Sequence, residues 1–93
     1  MRKVAVAIGS VLRSYTNGAA RVEVSVAPDA PTLADVLAAL EADYPGIRFR
    51  MVDEAGRVRP HVQVFVGGTI ERDPAATVPA GAEVFIVGAL SGG

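Results

Sequence analysis

The chemistry-bearing end of this 93-residue chain is Val87-Gly88-Ala89-Leu90-Ser91-Gly92-Gly93, in which the reactive group is the carboxylate of Gly93. Glycine lacks a Cβ and adopts backbone conformations closed to other residues, so a Gly-Gly end can thread a narrow channel and approach another active site closely. Seven extended residues reach about 23 Å at ~3.3 Å each. That reach can place a terminal carboxylate inside a partner enzyme while a globule stays outside. The expectation is a globule over residues 1–88 and a flexible tail over 89–93. Leu90, Ser91 and Gly92 serve there as the arm and Gly93 as the working group.

The side chains offer little rival chemistry. The chain has no cysteine, which removes disulfides, thiolate metal sites, iron–sulfur ligation and a cysteine nucleophile together. One histidine, His61, cannot make a His-rich metal cluster, so no metal is expected and His61 reads as structural. A net charge of −1 with 51% apolar residues describes a folded globule, not a disordered chain or a polyanion binder. Arg48, Arg50, Arg57 and Arg59 form a basic group with little aromatic interleaving, so no nucleic-acid partner is expected. Arg13 reads as a solvated loop residue. Nothing approaches the ~20 apolar residues of a membrane span. The N-terminal MRKVAVAIGS runs straight into strand sequence without a signal-peptide pattern, which points to the cytoplasm.

The elements that must carry the tail follow from periodicity. Val4, Val6 and Ile8 alternate with Lys3, Ala5 and Ala7, and Val22, Val24 and Val26 repeat the pattern, so two half-buried strands are expected. Thr16-Asn17-Gly18 marks a turn within the long loop joining them. Thr32 suits a helix N-cap, with Asp35 three residues on as a capping-box partner. Leu33, Val36, Leu37, Leu40 and Tyr44 then make one face of an amphipathic helix that Pro45-Gly46 stops. A short helical turn is expected near Ile47–Val52, a third strand over His61–Val66, and a tight Gly67-Gly68 turn into Thr69–Glu71. A helical turn over Ala75–Val78 and a last strand over Glu83–Val87 complete the reading. The order β-β-α-β-(β)-β predicts an α+β chain of the β-grasp (ubiquitin-like) kind, a mixed sheet packed on one main helix.

If the helix covers Val4, Val6, Val62, Val64, Val84 and Ile86, the opposite sheet face carries Ala5, Ala7, Gln63, Phe65, Phe85 and Val87. The uncovered face of a one-layer sheet is usually polar. Phe65, Phe85 and Val87 therefore stand out as a docking patch adjoining the tail, the alternative being ordinary scattered apolar surface partly covered by a loop.

The stretch Gly81-Ala82-Glu83-Val84-Phe85-Ile86-Val87-Gly88-Ala89-Leu90-Ser91-Gly92-Gly93 resembles the ThiS/MoaD sulfur-carrier family. The family pattern is G-x-x-V, an apolar strand, small residues, then Gly-Gly. Gly88 and Ala89 stand where many members carry proline. Val11-Leu12-Arg13 with Thr16-Asn17-Gly18, Leu40-Glu41-Ala42-Asp43-Tyr44-Pro45-Gly46-Ile47, and Arg59-Pro60-His61-Val62-Gln63-Val64-Phe65-Val66 bring the chain nearest to the CysO-type carriers. The resemblance implies a protein co-substrate that is not itself an enzyme and holds no permanent cofactor. A ubiquitin-activating-type adenylyltransferase would use ATP to adenylate Gly93, and sulfide or a persulfide would convert it to a thiocarboxylate. A pyridoxal-phosphate cysteine synthase would then take the sulfur, and a metalloprotease would release the product. Carriage of sulfur for molybdopterin, thiamine thiazole or a secondary metabolite is the alternative within the family. A ubiquitin-like modifier is the alternative outside it, although Lys3 is the only lysine beside eight arginines and leaves few sites for chains.

Overall fold

A computed structural model describes residues 2–88. Its elements are strand β1 (Arg2–Ile8), a 3-10 helix (Ser10–Thr16), β2 (Arg21–Val26), α1 (Leu33–Asp43), α2 (Ile47–Met51), β3 (Val62–Val66), β4 (Thr69–Ile70) and β5 (Val84–Gly88). They form a five-stranded sheet in the order β2-β1-β5-β3-β4. β5 lies at its centre, parallel to β1 through Val6–Val84, Ala7–Phe85 and Ile8–Ile86, and antiparallel to β3. The expected β-grasp architecture is the one observed.

Alternation sets which face is dry. Val4, Val6, Val22, Val24, Val62, Val64, Val84 and Ile86 are all buried, and Leu33, Val36, Leu37 and Leu40 of α1 close over them. The helix begins where the sequence places it. Thr32 Oγ1 accepts the Asp35 amide at 3.2 Å, and the Asp35 carboxylate accepts the Thr32 amide at 2.8 Å. Two of the donors that a helix start leaves without intrahelical partners are thereby satisfied.

Two loops differ from expectation. The connection after β1 is no open loop. Ser10–Thr16 winds into a 3-10 helix that buries Leu12 and Thr16, with Thr16 Oγ1 donating to the Ala19 carbonyl at 2.8 Å. Arg13 donates its Nε–H to the Ile8 carbonyl at 2.9 Å, so it fastens this helix to β1. Ala75–Val78 is not helical. It turns beside the start of α1, with Thr77 bridged to Thr32. There the Leu33 and Ala34 amides donate to the Ala76 and Pro74 carbonyls at 2.9 and 2.8 Å, and the Val78 amide donates to the Pro31 carbonyl at 2.8 Å. The helix's orphan N-terminal donors claim this segment's carbonyls, which overrides any local helical tendency.

Arg72 is a second fastening point. Its guanidinium donates to the carbonyls of Val62 at 2.7 Å, Val58 at 2.9 Å and Arg59 at 3.0 Å, joining the segment after β4 to the entry of β3. A hydrogen bond to a charged group contributes about 1.5–3 kcal/mol. Arg72→Met should therefore cost about 2 kcal/mol and lower the melting temperature by roughly 10 °C, read by thermal and urea unfolding.

Candidate functional site

The outer face of the sheet carries a cross-strand row built by register. Ala7 of β1 is opposite Phe85 of β5, Phe85 is opposite Phe65 of β3, and Phe65 is opposite Ile70 of β4. The Phe65 and Phe85 rings stack with centroids 6.0 Å apart and planes inclined at 29°. Phe85 is 40% exposed and Ile70 is 55% exposed, while Phe65 is half-buried. Val87, two residues along β5 on the same face, is half-buried opposite Gln63. The three residues expected to form the patch are thus brought together.

Sequence reading missed Ile70. The signal was present in the Gly67-Gly68 turn, whose positive φ values of 59° and 85° suit a two-residue hairpin. Such a turn pairs Val66 with Thr69 and so sets Phe65 against Ile70. Charge bounds the other side of the row. Arg21 pairs with Glu83 at 2.9 Å and Lys3 with Glu23 at 3.7 Å, giving an apolar strip with a polar margin towards β2.

β5 ends at Gly88, which is opposite Val62. Leu90, Ser91, Gly92 and Gly93 lie outside the described residues, as does the expected tail over 89–93 as a whole. At the end of β5 the chain is closely packed. A Cβ on Gly9 would lie 3.1 Å from the Ile86 carbonyl oxygen and 3.2 Å from the Val87 Cα, so a side chain there would require the β5 backbone to give by a few tenths of an ångström. Beyond it, Leu12, Ser14, Tyr15, Arg50, His61 and Gly88 line a hollow of about 200 Å³.

The short helix α2 beside this hollow is held by one carboxylate. Glu41 accepts the Gly46 amide at 2.8 Å and the Arg48 amide at 2.9 Å. Those two backbone donors, with a smaller contribution from the Arg48 charge, lower its pKa below the ordinary glutamate value. A depressed carboxylate stabilises the fold fully above its unfolded-state pKa, and the contribution disappears as pH falls through the lower, folded value. Amide exchange at Gly46 and Arg48 should therefore accelerate relative to the core as pH drops below the usual carboxylate range, and Glu41→Gln should show fast exchange already at neutral pH. Asp53 behaves likewise, its pKa lowered mainly by the Arg57 amide at 3.0 Å.

Among the described residues no group of three or more His, Cys, Asp or Glu side chains is placed to hold a metal ion. Among them, too, no helix is long and apolar enough to cross a membrane. What the fold presents is an apolar strip on a sheet whose central strand leads to a Gly-Gly sequence.

The sequence profile of the ThiS family matches residues 11–93. The chain belongs to the ThiS family. Solved structures agree with this membership. Mycobacterium tuberculosis CysO is 32% identical, with a TM-score of 0.78, over 94% of this chain and 99% of that one. A chain of the Amycolatopsis orientalis BexX/CysO complex is 27% identical, with a TM-score of 0.82, over 97% of this chain and 99% of that one. SAMP1 from Haloferax volcanii, 23% identical with a TM-score of 0.82 over 98% and 99% of the two chains, shares the fold. No curated protein sequence matches the chain. Placed on the ThiS-family fold, the Phe65–Phe85 row occupies the uncovered face of the sheet and Gly88 the end of its central strand.

Proposed function

We propose that this ThiS-family chain is a sulfur carrier for cysteine synthesis and that the Gly93 carboxylate is its working group. The observation carrying this is the Ala7–Phe85–Phe65–Ile70 row on the open sheet face, centred on the strand that leads to Gly92-Gly93. Phe65, Phe85 and Val87 dock a ubiquitin-activating-type adenylyltransferase, and Leu90, Ser91 and Gly92 span the distance to its ATP. A Gly93 carboxylate oxygen attacks the α-phosphate, forming a P–O bond and expelling pyrophosphate. Sulfide then attacks the carbonyl carbon of the acyl-adenylate, the C–O bond to AMP breaks, and the thiocarboxylate remains. Tethering to a short arm raises the local concentration of that sulfur in the acceptor enzyme.

The acceptor in this reading is a pyridoxal-phosphate cysteine synthase, and a metalloprotease releases the product. It is supported by the 32% identity to Mycobacterium tuberculosis CysO. The BexX/CysO complex is a precedent for a protein of this shape docking another. The chain acts as a co-substrate in the cytoplasm, with ATP used by its activating enzyme and no cofactor of its own. Intact-mass measurement of the protein purified from its native host tests this. A species heavier by the exchange of one oxygen for sulfur is expected, together with a co-purified cysteine synthase. Finding an unmodified terminus, also after incubation with the cognate activating enzyme, ATP and sulfide, overturns the reading. A co-purified thiazole or molybdopterin synthase keeps the carrier chemistry and replaces the pathway.

A further inference from the structure

Phe49 is the most exposed large apolar side chain described, at 62%. Core packing does not explain it, because α2 buries Ile47 and Met51 and leaves Phe49 outside. Arg59 lies over the ring with its Cζ 4.6 Å from the centroid, and donates its Nε–H to the Phe49 carbonyl at 2.8 Å. Arg50 donates its Nε–H to the Tyr15 hydroxyl, and its Cζ lies 5.8 Å from the Tyr15 ring centroid. Both guanidiniums are thus fixed through Nε. Among the described residues neither makes an Nη hydrogen bond or an ion pair. With Phe49 and His61 they line a recess of about 180 Å³, and Arg50 and His61 also border the hollow that reaches Gly88.

A guanidinium anchored at Nε keeps its Nη donors in a planar fork that matches a carboxylate, with little side-chain entropy left to lose. Two such forks on one recess also repel one another, and an incoming anion relieves that repulsion. We propose that Phe49, Arg50, Arg59 and His61 form a docking pocket for an acidic side chain of a protein partner, beside the point where the chain passes Gly88. The Phe49 ring supplies apolar contact for a neighbour of that acidic residue. A protein segment fits better than a nucleic acid. The recess has room for one anionic group, whereas a phosphate chain running on past Phe49 would reach the neighbouring hollow, where Asp53 and Glu54 share the lining with Phe49 and Arg59. A net charge of −1 also gives a polyanion no long-range attraction. This pocket shares no lining residue with the Phe65–Phe85 row and needs neither Gly93 nor ATP, so it stands or falls separately from the sulfur-carrier reading.

The test titrates the full-length, 15N-labelled chain with a blocked Leu-Glu-Glu-Leu peptide, its Leu-Gln-Gln-Leu counterpart and a short oligothymidylate. The glutamate peptide should shift the amides of Phe49, Arg50, Arg59, His61 and Gly88, and added salt should weaken it. The glutamine peptide should bind at least about tenfold more weakly, the loss expected for bonds to an ionised acceptor. Arg50→Gln should weaken the glutamate peptide about tenfold. Arg59→Lys, which keeps the charge and removes the fork, should weaken it about fivefold. Equal binding of the two peptides, shifts confined to the Phe65–Phe85 row, tighter binding of the oligothymidylate, or no shift at millimolar peptide each overturns the proposal.

Discussion

Deleting Gly93 is expected to abolish ATP-dependent thiocarboxylate formation while leaving the fold unchanged. The five strands and the buried core described above lie within residues 2–88, so stability should match that of the parent chain. The loss arises in the partner's active site. Shortening an extended arm by one residue withdraws its carboxylate by ~3.3 Å. Misplacement of a reacting group by 1 Å can already cost roughly 100-fold, so a full residue should cost at least about 1,000-fold. Gly93→Ala separates length from bulk. It keeps the reach and adds a Cβ, so a partial loss there locates a steric limit in the channel. Intact-mass spectrometry with activating enzyme, ATP and sulfide reads the parent and both variants. A sulfur-for-oxygen mass difference on the shortened chain would return Gly93 to the status of an ordinary terminus.

Phe85→Asp should weaken binding to the activating enzyme by about 100-fold. Buried aromatic anchors near the centre of an interface contribute about 2–4 kcal/mol, and each 1.4 kcal/mol is a factor of ten. Phe85 has the central place in its row, between Ala7 on one side and Phe65 on the other. A carboxylate there also faces desolvation without a partner. The fold should survive, because Phe85 is 40% exposed and the core lies on the opposite sheet face. The loss of the Phe65 stack costs about 1 kcal/mol. Phe85→Thr retains a residue suited to a strand and removes the ring, so it should weaken binding without adding charge. Calorimetry on both variants checks this, and an unchanged affinity for Phe85→Asp would make the row ordinary apolar surface.

The regular elements were legible because their periods are strict. The Val4-Val6-Ile8 and Val22-Val24-Val26 alternations and the Leu33-Val36-Leu37-Leu40 face each allow one buried side, and the Thr32–Asp35 cap fixes the helix start. What escaped reading depends on tertiary partners. Ser10–Thr16 becomes helical by burying Leu12 against the sheet, although its Ser, Tyr and Thr residues suggest a loop. At Ala75–Val78 any helical tendency gives way to amides at the start of α1, about forty residues earlier in the chain, which no local window contains. On the sheet face, Phe65, Phe85 and Val87 were visible from alternation, whereas Ile70 needed the register set by Gly67-Gly68. The pairing of Arg50 with Tyr15 and of Arg59 with Phe49 joins residues from separate segments, so composition showed the arginines without their arrangement.

The parallel pairing of β1 with β5 decides the order in which this chain can mature. The first and last strands meet at the middle of the sheet, with the β1–β2 and β3–β4 hairpins on either side. The β3–β4 pairs are 3 and 5 residues apart and the β1–β2 pairs 14–24, against 78 between β1 and β5, so both hairpins can form first, but each then leaves unpaired the edge that β5 will occupy. Closure of the longest loop waits for the residues up to Gly88 to leave the ribosome, and it seals both edges in one step. During synthesis the exposure of β1 and β3 therefore ends only when the strand that leads to Gly93 has been made, so a chain that has acquired its sheet has also acquired the strand from which its last five residues continue.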